Sequence, residues 1–150
     1  MTAALAAGTV QEGALELVLS CDLVYLRKDA VLDTGSGDEA PPPGVVRAFS
    51  RAGHRALHRL LLDPRPVDAT EAERLGVASG VLVDDDPLPI PTEASFAALA
   101  AARDLARASG SPTFRRALEK ASFQLLFATG DPYEGATAFL HKRLPRFPPA

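Results

Sequence analysis

Glu16 is the residue of this chain best suited to acid–base chemistry. It lies in an otherwise apolar run, residues 14–19, which reads ALELVL. A carboxylate among apolar side chains is costly unless it is paired, protonated or directed into a cavity, where it can exchange protons with a substrate. Gly13 comes just before this run, and a glycine lets the backbone turn tightly or approach a ligand. The alternatives are an exposed helix glutamate and a glycine that only makes the turn.

Histidine and cysteine give weaker signals. His54 and His58 are four residues apart on one predicted helix, but residues 54–58 read HRALH and lack the glutamate of an HExxH zinc site. We therefore expect an exposed helix surface there and no metal. Cys21 is the only cysteine, which rules out an intrachain disulfide and a paired-cysteine metal site. Its apolar neighbours indicate a packed thiol.

The composition is that of a globular domain without a polyanionic partner. The chain has 150 residues, of which 47% are hydrophobic and 23% charged, and a net charge of -3. Basic residues are spread along the chain, so nucleic-acid binding is not expected. Residues 1–8 lack the positive charge of a signal peptide, and no run approaches the roughly 20 apolar residues of a membrane span. These features predict a soluble, cytoplasmic protein.

The predicted elements follow an α/β order. Strands are predicted at residues 3–8, 23–26, 31–32 and 80–83, and helices at residues 14–19, 45–62, 68–76, 93–109, 112–128 and 131–145. Asp68 or Thr70 is the expected N-cap of the third helix, and Asp131 that of the last. Residues 33–44 read DTGSGDEAPPPG, a composition that predicts a loop. The pattern predicts an α/β fold with a helical carboxy-terminal half.

Three segments carry longer motifs. Residues 7–22 read AGTVQEGALELVLSCD, residues 63–78 read DPRPVDATEAERLGVA, and residues 131–147 read DPYEGATAFLHKRLPRF. The first resembles the small-residue strand end, glycine-rich turn and Glu-Leu-Ala-x-x-Cys-Asp helix of the enoyl-CoA hydratase/isomerase (crotonase) superfamily. The other two are similar to that family's x-Ala-x-x-Ala-x-x-x-Gly-Leu-Val segment and its terminal Glu-Gly-x-x-Ala-Phe-x-x-Lys-Arg-x-Pro-x-Phe pattern. Their order and separations are similar to those in the carboxy-terminal part of the family's domain.

The resemblance implies a fold and a reaction. The fold is a truncated crotonase-like (ClpP/crotonase) α/β fold, with a partial core over residues 1–90 and a helical, trimerisation-type region over residues 91–150. The reaction acts on an acyl-CoA thioester through an enolate, whose oxygen needs preorganised N–H donors. By motif position Gly13 supplies one such donor, and Glu16 is a catalytic acid or base. Coenzyme A enters as part of the substrate, and no tightly bound cofactor is implied.

The family's second catalytic glutamate has no direct counterpart. The alignment places Ser36 or Gly37 at its position. Asp38 and Glu39 lie close by and are either substitutes for it or solvated loop acids. Hydration by two glutamates is therefore not implied, and reactions that need one carboxylate stay open.

The end of the chain carries the expected coenzyme A contacts. Phe139 and Lys142 match positions that in the family cover the adenine or bind its phosphate. Lys142, Arg143 and Arg146 form either a phosphate-binding patch or a solvated helix end.

Two functions follow from the resemblance. One is an enoyl-CoA hydratase or isomerase; the other is a catalytically silent truncated homologue that serves as a structural or complementing subunit. Family members commonly form trimers and dimers of trimers, and uncovered strand edges favour association. A homo-oligomer or a complementing crotonase-like subunit is therefore the expected partner.

Overall fold

The computed structural model describes residues 1–35, 41–63, 65–83, 85–91, 93–108 and 110–148. These fall into two compact units. The amino-terminal unit is Thr2–Pro89, and the carboxy-terminal unit is Ile90–Ala150 together with Met1.

The amino-terminal unit alternates short strands and helices. In chain order its elements are β1 (Ala3–Ala6), β2 (Thr9–Val10), α1 (Glu12–Ser20), β3 (Leu23–Arg27), β4 (Val31–Leu32), α2 (Pro43–Ala52), α3 (His54–Leu62), β5 (Val67–Asp68), α4 (Ala69–Arg74) and β6 (Gly80–Leu82). The strands β1, β3 and β6 form a parallel sheet with β3 in the middle. In a second sheet the central β4 pairs parallel with β2 and antiparallel with β5. This arrangement confirms the predicted α/β class.

A hydrophobic core holds the two sheets and the helices of the amino-terminal unit together. Leu15 and Leu19, four residues apart, place one face of α1 in this core. Strand residues from both sheets and residues of α2 and α3 complete it. The largest fully buried side chains are Phe49, Leu15, Leu26, Leu32, Val45 and Val67. Helix α1, which carries the candidate catalytic residues, is therefore fixed by its apolar face.

Gly53 corrects the predicted helix over residues 45–62. It has φ 117° and ends α2, where its N–H donates to the carbonyls of Phe49 and Ser50. Its own carbonyl accepts from Leu57 N, and α3 begins at His54. Apolar spacing continues across this break, so periodicity alone merged two helices into one. The α-helical residues on both sides were predicted correctly.

The carboxy-terminal unit contains three described helices, α5 (Phe96–Arg107), α6 (Pro112–Phe127) and α7 (Asp131–Leu140). The side chains of Ser95 and Ser111 cap α5 and α6 by accepting from Ala98 N and Phe114 N. Helix α5 thus begins three residues after the predicted start. No residue of α5 or α6 is fully buried within the described structure.

Two further boundaries differ from the predictions. Gly130, not Asp131, is the N-cap of α7, and the helix ends at Leu140 rather than at Pro145. By contrast, Asp68 caps α4 as predicted, because its carboxylate accepts from Glu71 N at 2.8 Å. None of the described helices is both long and apolar enough to cross a membrane.

Candidate active site

Helix α1 positions both residues predicted to carry the chemistry. Gly13 is in its first turn and Glu16 follows three residues later. Residues three apart are neighbours on one side of a helix, about 5–6 Å between Cβ positions. The fold therefore brings a helix start and a carboxylate to the same surface.

Glu16 is half-buried and held by a backbone group of another helix. Its Oε1 accepts a hydrogen bond from Gly44 N at 2.9 Å. Gly44 is the second residue of α2, where an N–H has no partner within its own helix. A carboxylate at a helix start also interacts favourably with the helix dipole. The structure thus places Glu16 in a paired, oriented state and not on a solvated surface.

Gly44 has little room for a side chain. A Cβ built on it would lie 2.7 Å from Glu16 Oε1 and 3.1 Å from its Cδ. Sequence reasoning missed Gly44 as part of the site. The available signal was a glycine directly after three prolines and before an apolar helix, a context that favours a helix start.

Gly13 lies at an open helix start. It is exposed, and a Cβ built on it would meet nothing within 4 Å. The N-cap residue of α1, Gln11, makes no side-chain hydrogen bond to the first turn. First-turn N–H groups that no side chain caps can donate to an anion.

Glu12 is the unfavourable neighbour in this turn. It is exposed and has φ 51°, in the left-handed region that costs a non-glycine residue about 1–2 kcal/mol. A glycine adopts such a φ without strain. Glu12 also places a carboxylate side chain on the residue next to Gly13, in the first turn of α1.

The sequence offers Asp38 and Glu39 as substitutes for a second catalytic carboxylate. Ser36, Gly37, Asp38 and Glu39 all lie outside the described residues. Glu16 is therefore the carboxylate on which the described site depends.

Lys142 follows the C-cap residue of α7, His141, and has a strained backbone conformation. Its φ is 52°. Its N–H donates to Phe139 O at 3.2 Å, and Arg143 N donates to Ala138 O at 3.0 Å, a pair of bonds that defines a Schellman motif. The side chains of Lys142 and Phe139 are exposed, Phe139 by 83%.

Arg143 is not a free cation in this region. Its guanidinium donates two hydrogen bonds to the Glu134 carboxylate, at 2.6 and 2.9 Å. Arg146 N adds a third donor to the same carboxylate at 2.6 Å. These contacts, the Arg143 side chain first, lower the pKa of Glu134 to about 2. Arg143, one of the three residues of the predicted phosphate-binding patch, is thus held in an ion pair with Glu134.

The histidines and the cysteine considered in the sequence analysis do not form a catalytic or metal-binding group among the described residues. His54 and His58 are exposed, with ring centroids 6.3 Å apart. Among the described residues no three histidine, cysteine, aspartate or glutamate side chains are grouped for a metal ion. Cys21 is half-buried, and its Sγ lies 3.7 Å from Leu17 O.

Comparisons with known proteins find relatives that are named as enoyl-CoA hydratases. No protein-family model matches the chain. The chain is 32% identical over 153 residues to a probable enoyl-CoA hydratase of Mycobacterium leprae, a match that covers 94% of the chain and 60% of the relative. It is 30% identical over 144 residues to a 2,3-dehydroadipyl-CoA hydratase of Escherichia coli, covering 88% of the chain and 56% of that relative.

The fold matches that of a solved enoyl-CoA hydratase. The crystal structure of the enzyme from Polaromonas sp. JS666 superposes with a TM-score of 0.80 at 23% identity, covering 96% of this chain and 62% of that one. The chain therefore spans about 60% of the length of the proteins it matches. Over nearly all of its residues the chain is thus similar in sequence to enoyl-CoA hydratases, and it has the fold of the enoyl-CoA hydratase/isomerase (crotonase) superfamily.

Proposed function

We propose that this chain acts on an acyl-CoA thioester, with Glu16 as the acid or base and the Gly13 N–H as one donor to the enolate oxygen. The observation that carries the proposal is the Glu16–Gly44 hydrogen bond of 2.9 Å. It fixes a half-buried carboxylate one helical turn from an uncapped helix start. A positioned proton carrier beside an anion-stabilising group is what enolate chemistry requires.

The roles of the two residues follow from charge. As the thioester oxygen gains negative charge, the N–H of Gly13 and the start of α1 lower its energy. In hydration Glu16 takes a proton from the attacking water; in isomerisation it moves a proton between two carbons of the acyl chain. Gly44 N–H keeps the carboxylate oriented during either transfer.

Turnover of crotonyl-CoA tests the proposal. Loss of the conjugated thioester absorbance is followed for the wild type, Glu16→Gln and Glu73→Gln. Glu73 is an exposed glutamate of α4 and serves as a matched control. We expect Glu16→Gln to lower kcat by roughly 100-fold or more and Glu73→Gln to leave it unchanged. Wild-type turnover that survives in Glu16→Gln contradicts the assigned role.

Glu12 favours a second candidate, a catalytically silent homologue that serves as a structural or complementing subunit. Its carboxylate precedes Gly13 directly and opposes a developing anion, and its φ of 51° strains the turn. If Glu12 alone suppresses an otherwise competent site, Glu12→Gly raises the turnover. A silent subunit stays inactive in both forms and gives no heat when titrated with coenzyme A.

The partner proposed in either case is a second copy or a complementing crotonase-like subunit. Several large apolar side chains of α6 and α7 are exposed within the described structure, among them Phe123 by 61%, Leu125 by 72% and Leu140 by 77%. Contiguous exposed apolar surface is typical of an interface. Sedimentation equilibrium of the purified chain is expected to give a trimer or hexamer, and a monomer at micromolar concentration contradicts self-association.

A further inference from the structure

A cleft at the junction of α2 and α3 is lined by two arginines and a histidine. Its volume is about 330 Å³, and its walls are Ala52, Gly53, His54, Arg55, Arg74 and Leu75. None of these lining residues carries a carboxylate, although the chain as a whole has a net charge of -3. The cleft is therefore a local concentration of positive charge on an acidic protein.

The sequence around the cleft also contains more basic than acidic residues. Residues 41–62 contain four arginines and two histidines but no aspartate or glutamate. One of these arginines, Arg59, is already neutralised, since its Nε and Nη2 donate to the Glu71 carboxylate at 2.9 and 3.1 Å. Of the other basic residues of this segment, His54 and Arg55 follow Gly53 directly, line the cleft and are exposed.

Neither of the two cleft arginines is held in a strong ion pair among the described residues, so their guanidinium groups can bind a ligand. Arg55 forms no ion pair with any carboxylate of the described residues. Arg74 approaches Glu71 only at 3.7 Å, and that carboxylate is already bound to Arg59. An exposed ion pair of this length contributes little and yields readily to a better acceptor.

Residues next to the cleft wall are well fixed. A Cβ built on Gly76 would lie 3.9 Å from the Cβ of Ala52, so the end of α4 lies close to the end of α2. Hydrogen bonds from Val77 N and Ala78 N to Ala72 O, and from Gly76 N to Glu73 O, hold the chain that follows Arg74. Gly53 leaves open space where a side chain would stand.

We propose that this cleft binds a phosphate or diphosphate group of a small ligand, held by Arg55 and Arg74 and contacted by His54. Paired guanidinium groups bind phosphate oxygens with charge-assisted, often bidentate hydrogen bonds. The cleft is separate from the Glu16 site. Gly44 is the second residue of α2 and Gly53 follows the end of this helix, and nine residues at 1.5 Å per residue put about 13 Å between them.

Phosphate titration of the full chain, followed by amide NMR at constant ionic strength, tests this proposal. Inorganic phosphate is expected to shift the amides of Gly53, His54 and Arg55, and pyrophosphate to do so at lower concentration because it reaches both arginines. Arg55→Gln and Arg74→Gln together are expected to raise the Kd roughly tenfold or more. Arg47→Gln, an exposed arginine of α2 that does not line the cleft, is the matched control and should leave the Kd unchanged.

Two results would overturn the site. One is the absence of localised shifts at Gly53 and its neighbours. The other is an equal loss of affinity in Arg47→Gln, which would mean diffuse charge attraction. Coenzyme A in place of phosphate identifies the source: if it displaces phosphate, the phosphate belongs to the acyl carrier, and if it does not, the cleft takes a separate ligand. Either of these outcomes supports the site, and both are independent of whether Glu16 turns over crotonyl-CoA.

Discussion

The contact between Glu16 and Gly44 joins residues that are 28 positions apart in the chain. It converts a helix glutamate into an oriented carboxylate, and it depends on the absence of a side chain at position 44. Gly44→Ala is therefore a probe of orientation rather than of charge. The new methyl group would overlap Glu16 Oε1 at 2.7 Å, so the carboxylate must move.

We predict that Gly44→Ala lowers crotonyl-CoA turnover by roughly tenfold to 100-fold, because misplacing a catalytic group by about 1 Å can cost that much. The thermal midpoint should stay the same or rise, since alanine favours a helix over glycine by about 1 kcal/mol. Gly135→Ala in α7, where a Cβ meets nothing within 4 Å, is the control. Unchanged turnover in Gly44→Ala would show that this contact does not orient the base.

Lys142 supplies a second prediction at the scale of one residue. Its φ of 52° is left-handed, and the Schellman bonds around it are those that usually carry a glycine. Lys142→Gly is expected to raise the free energy of unfolding of the carboxy-terminal unit by about 1 kcal/mol. Urea unfolding measures this difference. Lys120→Gly, in the middle of α6, should lower the same quantity by about 1 kcal/mol, and a loss in both variants contradicts the strain assigned to Lys142.

At the scale of elements, local signals were sufficient for most helices and strands. Asp68 and Ser111 stand where capping side chains are expected, and the apolar run after Gly13 gave α1. The break at Gly53 was missed because the apolar spacing continues across it. The Glu16–Gly44 bond was missed for a different reason: it depends on how α1 and α2 pack, which no local window contains.

Helices α3 and α4 are joined by a partly buried ion pair that can be tested. The Arg59 side chain is only 13% exposed and donates two hydrogen bonds to Glu71. Glu71→Ala removes both of these hydrogen bonds and leaves Arg59 only the longer ion pair with Asp63 at 3.7 Å. We therefore expect the amino-terminal unit to lose about 2 kcal/mol of unfolding free energy. Glu73→Ala, on the same helix and exposed, should change it by less than about 0.5 kcal/mol. Equal losses of unfolding free energy in the two variants would mean that a change in helix propensity, and not the loss of the ion pair, causes the destabilisation.

At the scale of the whole molecule the two units are stabilised in different ways. The amino-terminal unit has a core of fully buried side chains drawn from both sheets and from α1, α2 and α3. The carboxy-terminal unit has few buried residues among those described, and the bond network between Glu134, Arg143 and Arg146 ties the end of the chain to α7. Each unit nevertheless contains a carboxylate whose pKa is lowered by a hydrogen-bonded arginine, Asp63 in the first and Glu134 in the second.

These two carboxylates predict how each unit responds to acid. The pKa of Asp63 is lowered to about 2, chiefly by the hydrogen bond from the Arg65 side chain, and that of Glu134 to about 2, chiefly by Arg143. A lowered pKa favours folding while the group is charged, so the contribution is full above its ordinary pKa near 4 and is lost as the pH falls through about 2. Both side chains are partly exposed, which weakens the effect through solvent screening.

We therefore expect Asp63→Asn to destabilise the amino-terminal unit and Glu134→Gln the carboxy-terminal unit at pH 7. Each difference from the wild type should shrink below pH 4 and disappear as the pH falls below about 2, because the wild-type carboxylate is then protonated as well. Amide hydrogen exchange in urea reports on the two units separately. Glu119→Gln, on the exposed surface of α6, should follow the wild type at every pH. A deficit that keeps the same size from pH 7 to pH 2 would assign the loss to packing, since only the charged form of each carboxylate makes the stabilising contact.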